Sequence, residues 1–298
     1  MKRKHGAVFD FHQRFKSETD CIAALAKLKW PNGFKCPRCG HNKAYQLSER
    51  REIECAECKH QTSVTADTLF HKTRTPLLKW FFAIVLIATD KGGISALRLS
   101  KQLGMRYATA WMMLHKLRKA MADRDSGRTL AGVVEIDDAY FGGRRKGIQG
   151  SKKDKVPVIV MIESENGHCG YLSMVVVKSA NKQNAERVIE NALEPNQYIR
   201  TDASKIYSDL VSLGHKHKNT PVTPDIADDE LPCVNKAISL AKRFMLGTHH
   251  MLRPAHLQLF LNEFCYKFNR RFCEHKIFEK LLHLSVCSKP ILLPDLRG

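Results

Sequence analysis

Two sets of side chains in this sequence have the types and spacing for chemistry. The first is Cys36 and Cys39 in "FKCPRCGHNKAY" with Cys55 and Cys58 in "IECAECKHQT", fifteen residues apart. A two-residue gap lets one tight turn aim both thiolates at a single ion, and two such pairs complete the tetrahedral set of a structural zinc site. Gly40 supplies the left-handed backbone that such a turn often needs. His41, His60 and His71 lie nearby, but four thiolates leave no ligand position for them. The second set is the carboxylate cluster Glu135, Asp137 and Asp138 in "VVEIDDAYFGG", with Asp202 in "RTDASKIYSDL". Carboxylates held close repel, and a divalent cation relieves the repulsion while polarising a phosphate and activating a water. The competing reading is a solvated strand end, with Asp202 merely capping a helix that begins near Ser204.

The elements that position these groups follow from periodicity. "AYQLS" and "REIECAECKHQTSV" alternate as a short hairpin between the cysteine pairs, which makes a zinc ribbon. From Thr75, a candidate N-cap, and Pro76, the pattern becomes helical through "WFFAIVLIA". "KGGISALRLSKQLGMRYATAWMMLHKLRKAM" divides at Gly104 into two helices, a helix-turn-helix. In that geometry Arg106, Tyr107 and Thr109 face DNA bases while His115, Lys116, Arg118 and Lys119 approach phosphates. After the polar stretch 121–132 come three strands: "GVVEIDDAYFGG", then, beyond the basic loop "RRKGIQGSKKDK", "VPVIVMIES" and "CGYLSMVVVKS" joined at "ENGH". "NKQNAERVIENALE" is a helix, and "QYIRTD" a strand ending at Asp202 before a second helix. The order β-β-β-α-β-α is how a ribonuclease H-like sheet begins, and in such a sheet the first and fourth strands are neighbours. Their ends then bring Asp137 beside Asp202, sixty-five positions on, as a candidate magnesium site. In "HLQLFLNEFCYKFNRR", Leu257, Phe260, Leu261, Phe264 and Phe268 form an apolar stripe, with Lys267, Arg270 and Arg271 as a basic end for DNA backbone.

Composition narrows the class. With 49 Lys and Arg against 30 Asp and Glu, the 298-residue chain carries a formal charge of +19, spread along its length, which calls for a polyanion such as nucleic acid. The longest apolar run has nine residues, far short of the ~20 that span a bilayer, so no membrane partner is expected. No secretory signal follows the basic start, and the reading is a cytoplasmic protein. In that reducing compartment the remaining cysteines, Cys21, Cys169, Cys233, Cys265, Cys273 and Cys287, are read as core thiols.

In combination, the ribbon, the helix-turn-helix, "VEIDDAYFGG", "RTDASKIYSDL", "GTHHMLRPAHLQLFLNEFCYKFNRRF" and the opening "CIAALAKLKWPNGFKCPRCG" resemble the IS1595-type insertion-sequence transposases with their ISXO2-like catalytic domain. The resemblance runs from about Asp10 to Phe272. It implies a bacterial, nucleoid-associated protein that cuts the 3′ ends of a DNA element and joins them to target DNA, using two metal ions held by an acid triad. Asp137 and Asp202 match the first two acids. The third family ligand is Glu, or in some branches Asn, seven residues before a Lys or Arg on a late helix; Asn235 stands seven before Lys242 in "LPCVNKAISLAKRF". Some relatives instead carry Asn two residues before that Lys, where this chain has Leu240, which cannot bind metal. Glu230 is a rival ligand.

The expectation is an α/β protein in four parts: an N-terminal helical segment 1–31, a zinc ribbon 32–72, a helix-turn-helix 73–124 and a ribonuclease H-like domain 130–298. Its cofactors are structural zinc and magnesium or manganese. Its partner is double-stranded DNA, both terminal inverted repeats and target, engaged by a homodimer on paired ends. Two alternatives to an active transposase stay open: a binding-only descendant, given the neutral Asn235, and a nuclease that cleaves without joining.

Overall fold

The computed structural model describes residues 7–47, 52–142, 155–221, 230–248 and 253–296. Most of the basic loop read at 144–155 lies outside them. The chain divides into two compact units, one running up to Met121 and taking in the segment from Cys273, the other Ala122–Phe272.

The first unit holds helices α1 (Ala7–Arg14), α2 (Glu18–Lys29) and α3 (Leu77–Thr89), with a three-stranded antiparallel ribbon, β1 (Ala44–Gln46), β2 (Glu52–Cys55) and β3 (Gln61–Ser63). Thus the ribbon has one strand more than the hairpin expected. The N-cap of α3 is Pro76, not Thr75, and it has no side-chain cap of its own. Instead the Glu18 carboxylate accepts from the Leu77 and Leu78 amides at 2.8 and 3.1 Å, satisfying donors that every helix start exposes. A carboxylate there also suits the helix dipole. Helices α4 (Ala96–Gln102) and α5 (Tyr107–Asp125) meet at Gly104, whose positive φ makes the turn. The last helix, α9 (Ile277–Cys287), belongs to this unit rather than to the one that holds residues 122–272, which differs from the 130–298 reading. Its Phe278 packs edge-on with Phe11 and Phe81, so burial of an aromatic cluster overrides proximity in sequence.

The second unit is built on a five-stranded sheet in the order β6-β5-β4-β7-β8, with β4 (Val133–Phe141) at its centre. β5 (Val156–Glu165) and β6 (His168–Val176) extend it antiparallel. β7 (Tyr198–Asp202) and β8 (Lys216–Thr220) extend it parallel. This is the ribonuclease H-like order. Asn166 and Gly167 both take positive φ at the β5–β6 turn, as a tight hairpin requires. One face of the sheet, with Ala139, Phe141, Val158 and Val160, is covered by α7 (Pro232–Thr248) and α8 (Leu257–Phe268). The other, with Val134, Ile136, Ile159 and Met161, is covered by α6 (Lys182–Ala192) and the segment after β7.

Two expectations fail here. The segment after Asp202 is a single 3-10 turn, Lys205–Tyr207, followed by turns rather than a second helix, and the fifth strand β8 follows it. Its sequence, "KHKNT", has no alternation of apolar residues to announce a strand, because it is an edge with mostly exposed side chains. Moreover, Cys169 and Cys233, read as core thiols, are joined in a disulfide that ties β6 to the start of α7. Their sulfurs meet only because the sheet and α7 are packed, which spacing in sequence does not reveal. Of the other four, Cys21 and Cys265 are buried thiols as expected, whereas Cys273 is half-buried and Cys287 exposed.

Candidate metal centres and nucleic-acid contacts

The ribbon cysteines converge. The sulfurs of Cys36, Cys39, Cys55 and Cys58 all lie within 4.8 Å of one another, and the Cys36–Cys58 and Cys39–Cys55 pairs are both 3.6 Å apart. A tetrahedral ion with Zn–S bonds of ~2.3 Å needs sulfurs just under ~4 Å apart, so the donor set fits zinc in type, number and spacing. Two similar turns produce it. The Gly40 amide donates to the Cys36 carbonyl and the Lys59 amide to the Cys55 carbonyl, at 2.9 and 3.2 Å. Both Gly40 and Lys59 take positive φ, so the second turn bears a conformation that only the first assigns to glycine.

The acid pair is assembled by register. β4 and β7 run parallel with Val133 opposite Tyr198, through to Ile136 opposite Thr201. One step further along each strand stand Asp137 and Asp202. Adjacent strands lie ~4.8 Å apart, so the two carboxylates share one end of the sheet. Burial, and then the charge of Asp202, push the Asp137 carboxyl up to about 7; Asp138 adds to the rise while its amide, bonded to Asp137 Oδ1 at 2.8 Å, and the Lys242 ammonium oppose it. Two crowded carboxylates offer the oxygen ligands that could hold a hard divalent cation such as magnesium or manganese, with the Lys242 charge acting on Asp137. The Ser204 amide donates to Asp202 Oδ1 at 3.2 Å and fixes that side chain at the strand end.

Glu135, the third acid of the cluster, has another task. It is wholly buried, and its Oε2 accepts from the Cys233 and Val234 amides at 2.8 and 2.9 Å, at the first turn of α7. Its Oε1 faces the Arg200 guanidinium at 3.5 Å, and Arg200 also donates to the Glu230 carbonyl. Glu135 therefore anchors the helix that carries Asn235 and Lys242. Asn235 is half-buried in the first turn of that helix. Leu240 packs against the core on the same helix, and the Glu230 carboxylate turns to Lys218 at 3.8 Å. The anchoring pair Glu135–Arg200 escaped the sequence reading, although a charged residue inside "VVEI" was a signal.

Tyr207 also escaped it. It is 1% exposed, and its hydroxyl has no hydrogen-bond partner among the described residues. Burial, then the charges of Asp138, Asp137 and Asp202, hold that phenol well above its usual range.

The basic residues assigned to DNA divide into two groups. Arg106 and Tyr107 are exposed at the start of α5, with Thr109, Lys116 and Lys119 half-buried. Burial lowers the Lys116 ammonium, opposed by Asp295. Arg118 and His115 are corrections. Arg118 is 1% exposed and points to the Ile94 carbonyl; His115 is buried, stacked on Trp111 at 3.9 Å. Arg270 and Arg271, both partly buried, also have internal partners. Arg270 forms a two-pronged bridge to Asp125 at 2.7 and 3.0 Å and lies over Tyr266. Arg271 donates to the Phe268 and Gly170 carbonyls and lies over Phe268 and Phe272. Lys267 is paired with the buried Glu263 at 2.7 Å. Among the described residues, no helix is long and apolar enough to cross a membrane.

Comparison with known proteins agrees with this layout. Residues 129–269 match the model of the ISXO2-like transposase domain, and residues 16–61 that of the transposase zinc-ribbon domain. The chain is 23% identical over 216 residues, 66% of its length and 71% of the relative's, to an uncharacterized protein in transposable element ISH50 of Halobacterium salinarum. Among solved structures, it is similar to a chain of the simian T-cell lymphotropic virus intasome in complex with PP2A regulatory subunit B56 gamma. That match has 16% identity and a TM-score of 0.31, covering 56% of this chain and 63% of that one. It is also similar to a chain of the Mos1 strand transfer complex, with 10% identity and a TM-score of 0.29, covering 71% and 78%. These scores carry no argument about the fold, which rests on strand order.

Proposed function

We propose that this chain, which belongs to the IS1595-type family of ISXO2-like transposases, binds the terminal repeats of a DNA element and carries out 3′-end cleavage and strand transfer at Asp137 and Asp202. The observation that carries the proposal is the parallel β4–β7 register, which sets the two acids side by side at one sheet end. Asp137 and Asp202 would hold the divalent cation, with Asn235 as third ligand through its amide oxygen. Bound there, magnesium or manganese supplies Lewis acidity toward phosphate and a lowered pKa for water. Lys242, two helical turns after Asn235 and on its face, holds substrate phosphate beside Asp137. Glu135 and Arg200 keep α7 seated so that these two side chains reach the acids. The helices α4 and α5 act as a helix-turn-helix, with Arg106, Tyr107 and Thr109 toward the groove and Lys116 and Lys119 toward phosphates. Structural zinc in the ribbon maintains that module, and a pair of chains engages paired ends.

Asn235 supports a second reading, a binding-only descendant, because a neutral amide holds a cation less tightly than a carboxylate. A strand-transfer assay on DNA carrying the element ends, with magnesium or manganese, separates the two. Asp137→Asn and Asp202→Asn abolish cleavage and joining while DNA binding persists. An active wild type in which Asn235→Ala fails and Asn235→Glu retains activity establishes the transposase with its third ligand. Activity gained only by Asn235→Glu establishes the binding-only descendant. Wild-type cleavage rates in both Asp variants would remove the metal-site reading.

A further inference from the structure

The Cys169–Cys233 bond spans a sequence separation of 64 and lands close to the acid centre. Cys233 stands in the first turn of α7, where its amide donates to Glu135 Oε2 at 2.8 Å, and Glu135 shares a strand face with Asp137. Asn235, the proposed third ligand, follows Cys233 in that turn, and the Lys242 ammonium later on the same helix acts on the Asp137 carboxyl. The other end of the bond is rigid. Cys169 pairs with Ser164 of β5, and its carbonyl accepts from Arg271. A covalent link from the sheet edge into this turn therefore restrains the residues that complete the metal site. Of the two cysteines, Cys233 is wholly buried and Cys169 half-buried, so a thiolate from solvent meets the Cys169 sulfur first.

We propose that the Cys169–Cys233 bond is a redox switch on the acid centre: oxidised, it fixes the first turn of α7 and with it Asn235; reduced, it frees that turn and weakens the hold on the divalent cation. This rests on the metal site proposed above. Where the surroundings are reducing, a disulfide that does form is usually transient and redox-sensing rather than a permanent staple. The chemistry is thiol–disulfide exchange with a dithiol reductant. One reductant thiolate attacks the Cys169 sulfur, the S–S bond breaks, and Cys233 leaves as a thiolate that takes up a proton. The second reductant thiolate attacks the mixed disulfide and releases Cys169, so an electron pair passes to the protein and the reductant ends as a disulfide. Glu135 still holds the Cys233 and Val234 amides after reduction, so α7 loosens at its first turn without leaving the sheet.

The test compares the wild type, Cys169→Ser and Asp137→Asn as full-length, zinc-loaded protein, each under glutathione disulfide and under dithiothreitol. Alkylation with mass spectrometry reads free thiols at Cys169 and Cys233, hydrogen exchange follows the amides of residues 232–242, and electron paramagnetic resonance of the free ion reads manganese binding. Reduction of the wild type is expected to quicken exchange in the first turn of α7 and to weaken manganese binding by about 5-fold or more, as couplings between a switch and a site typically do. Cys169→Ser is expected to behave as the reduced wild type under both conditions, which separates the bond from any action of the reductant on the ribbon thiolates. Equal manganese affinity in the oxidised and reduced wild type, with binding lost in Asp137→Asn, overturns the switch and leaves the acid pair standing. Free thiols at both cysteines under glutathione disulfide overturn it too. If Asp137→Asn binds manganese as the wild type does, the acid pair is not the metal site and both readings fall together.

Discussion

The thiolate cluster of the ribbon and the carboxylate pair of the sheet both bring acidic side chains to one place, but by opposite means. In the ribbon, two short turns each deliver a pair of ligands, and all four ligands lie within residues 36–58. In the sheet, each acid arrives from a different strand, and the helix with the remaining polar groups is held down by Glu135 and Arg200. Turns make a site that needs its ion in order to fold. A packed sheet sets its two acids side by side through strand register, and burial, then the charge of Asp202, raises the Asp137 carboxyl.

That contrast sets the order of the expected effects. Cys36→Ser or Cys55→Ser should unfold the ribbon and lower the zinc content from one per chain to none, because metal binding contributes on the order of 10 kcal/mol to such small modules. Asp137→Asn should leave the zinc content unchanged. Wild-type protein purified without zinc, by elemental analysis, would erase the distinction between the two centres. Next in size is Glu135→Ala, which strips the acceptor from two buried amides and leaves Arg200 with only the Glu230 carbonyl. A loss of roughly 2–3 kcal/mol in denaturant unfolding is expected, with strand transfer impaired although no proposed ligand has been touched. Stability and activity both unchanged would show that α7 is seated by apolar packing alone.

The smallest effect is a pH slope. With its folded pKa near 7 against an ordinary 3.8, Asp137 keeps a proton in the folded state that the unfolded chain gives up. Its contribution to stability is therefore full below 3.8, declines as pH rises toward about 7, and is flat above. Melting temperatures recorded across that range without magnesium or manganese should fall more steeply with pH in the wild type than in Asp137→Asn. Added manganese should flatten the wild-type curve, since the cation replaces the proton. Parallel curves for the two proteins would mean that the folded chain does not raise the Asp137 carboxyl.

The local site was open to a reader of the sequence because its geometry is a matter of i to i+3 spacing. Asp137 and Asp202 were accessible one level up, through strand order, since apolar runs such as "VPVIVMIES" announce buried strands. What lay beyond reach was anything decided by side-chain direction in the packed state. Arg118, Arg270 and Arg271 have the composition of DNA contacts, yet their long stems bury and their charges find Ile94, Asp125 and the Gly170 carbonyl instead. The Cys169–Cys233 link and the hydroxyl of Tyr207 belong to the same class, as does β8, whose residues carry no apolar alternation because they form an edge.

The parallel pairing of β4 with β7 also has a consequence for how the gene can change. The separation of Asp137 and Asp202 in sequence equals the offset of the ladder, so it is phase along the strands, rather than distance along the chain, that brings the acids together. Residues added between β6 and α6 lengthen the path without altering that phase. A single residue deleted from Tyr198–Thr201 would slip β7 by one place and turn Asp202 to the opposite face of the sheet. Length variation in the connections thus leaves the pairing of the two acids intact, while a three-base in-frame deletion in one short strand separates them.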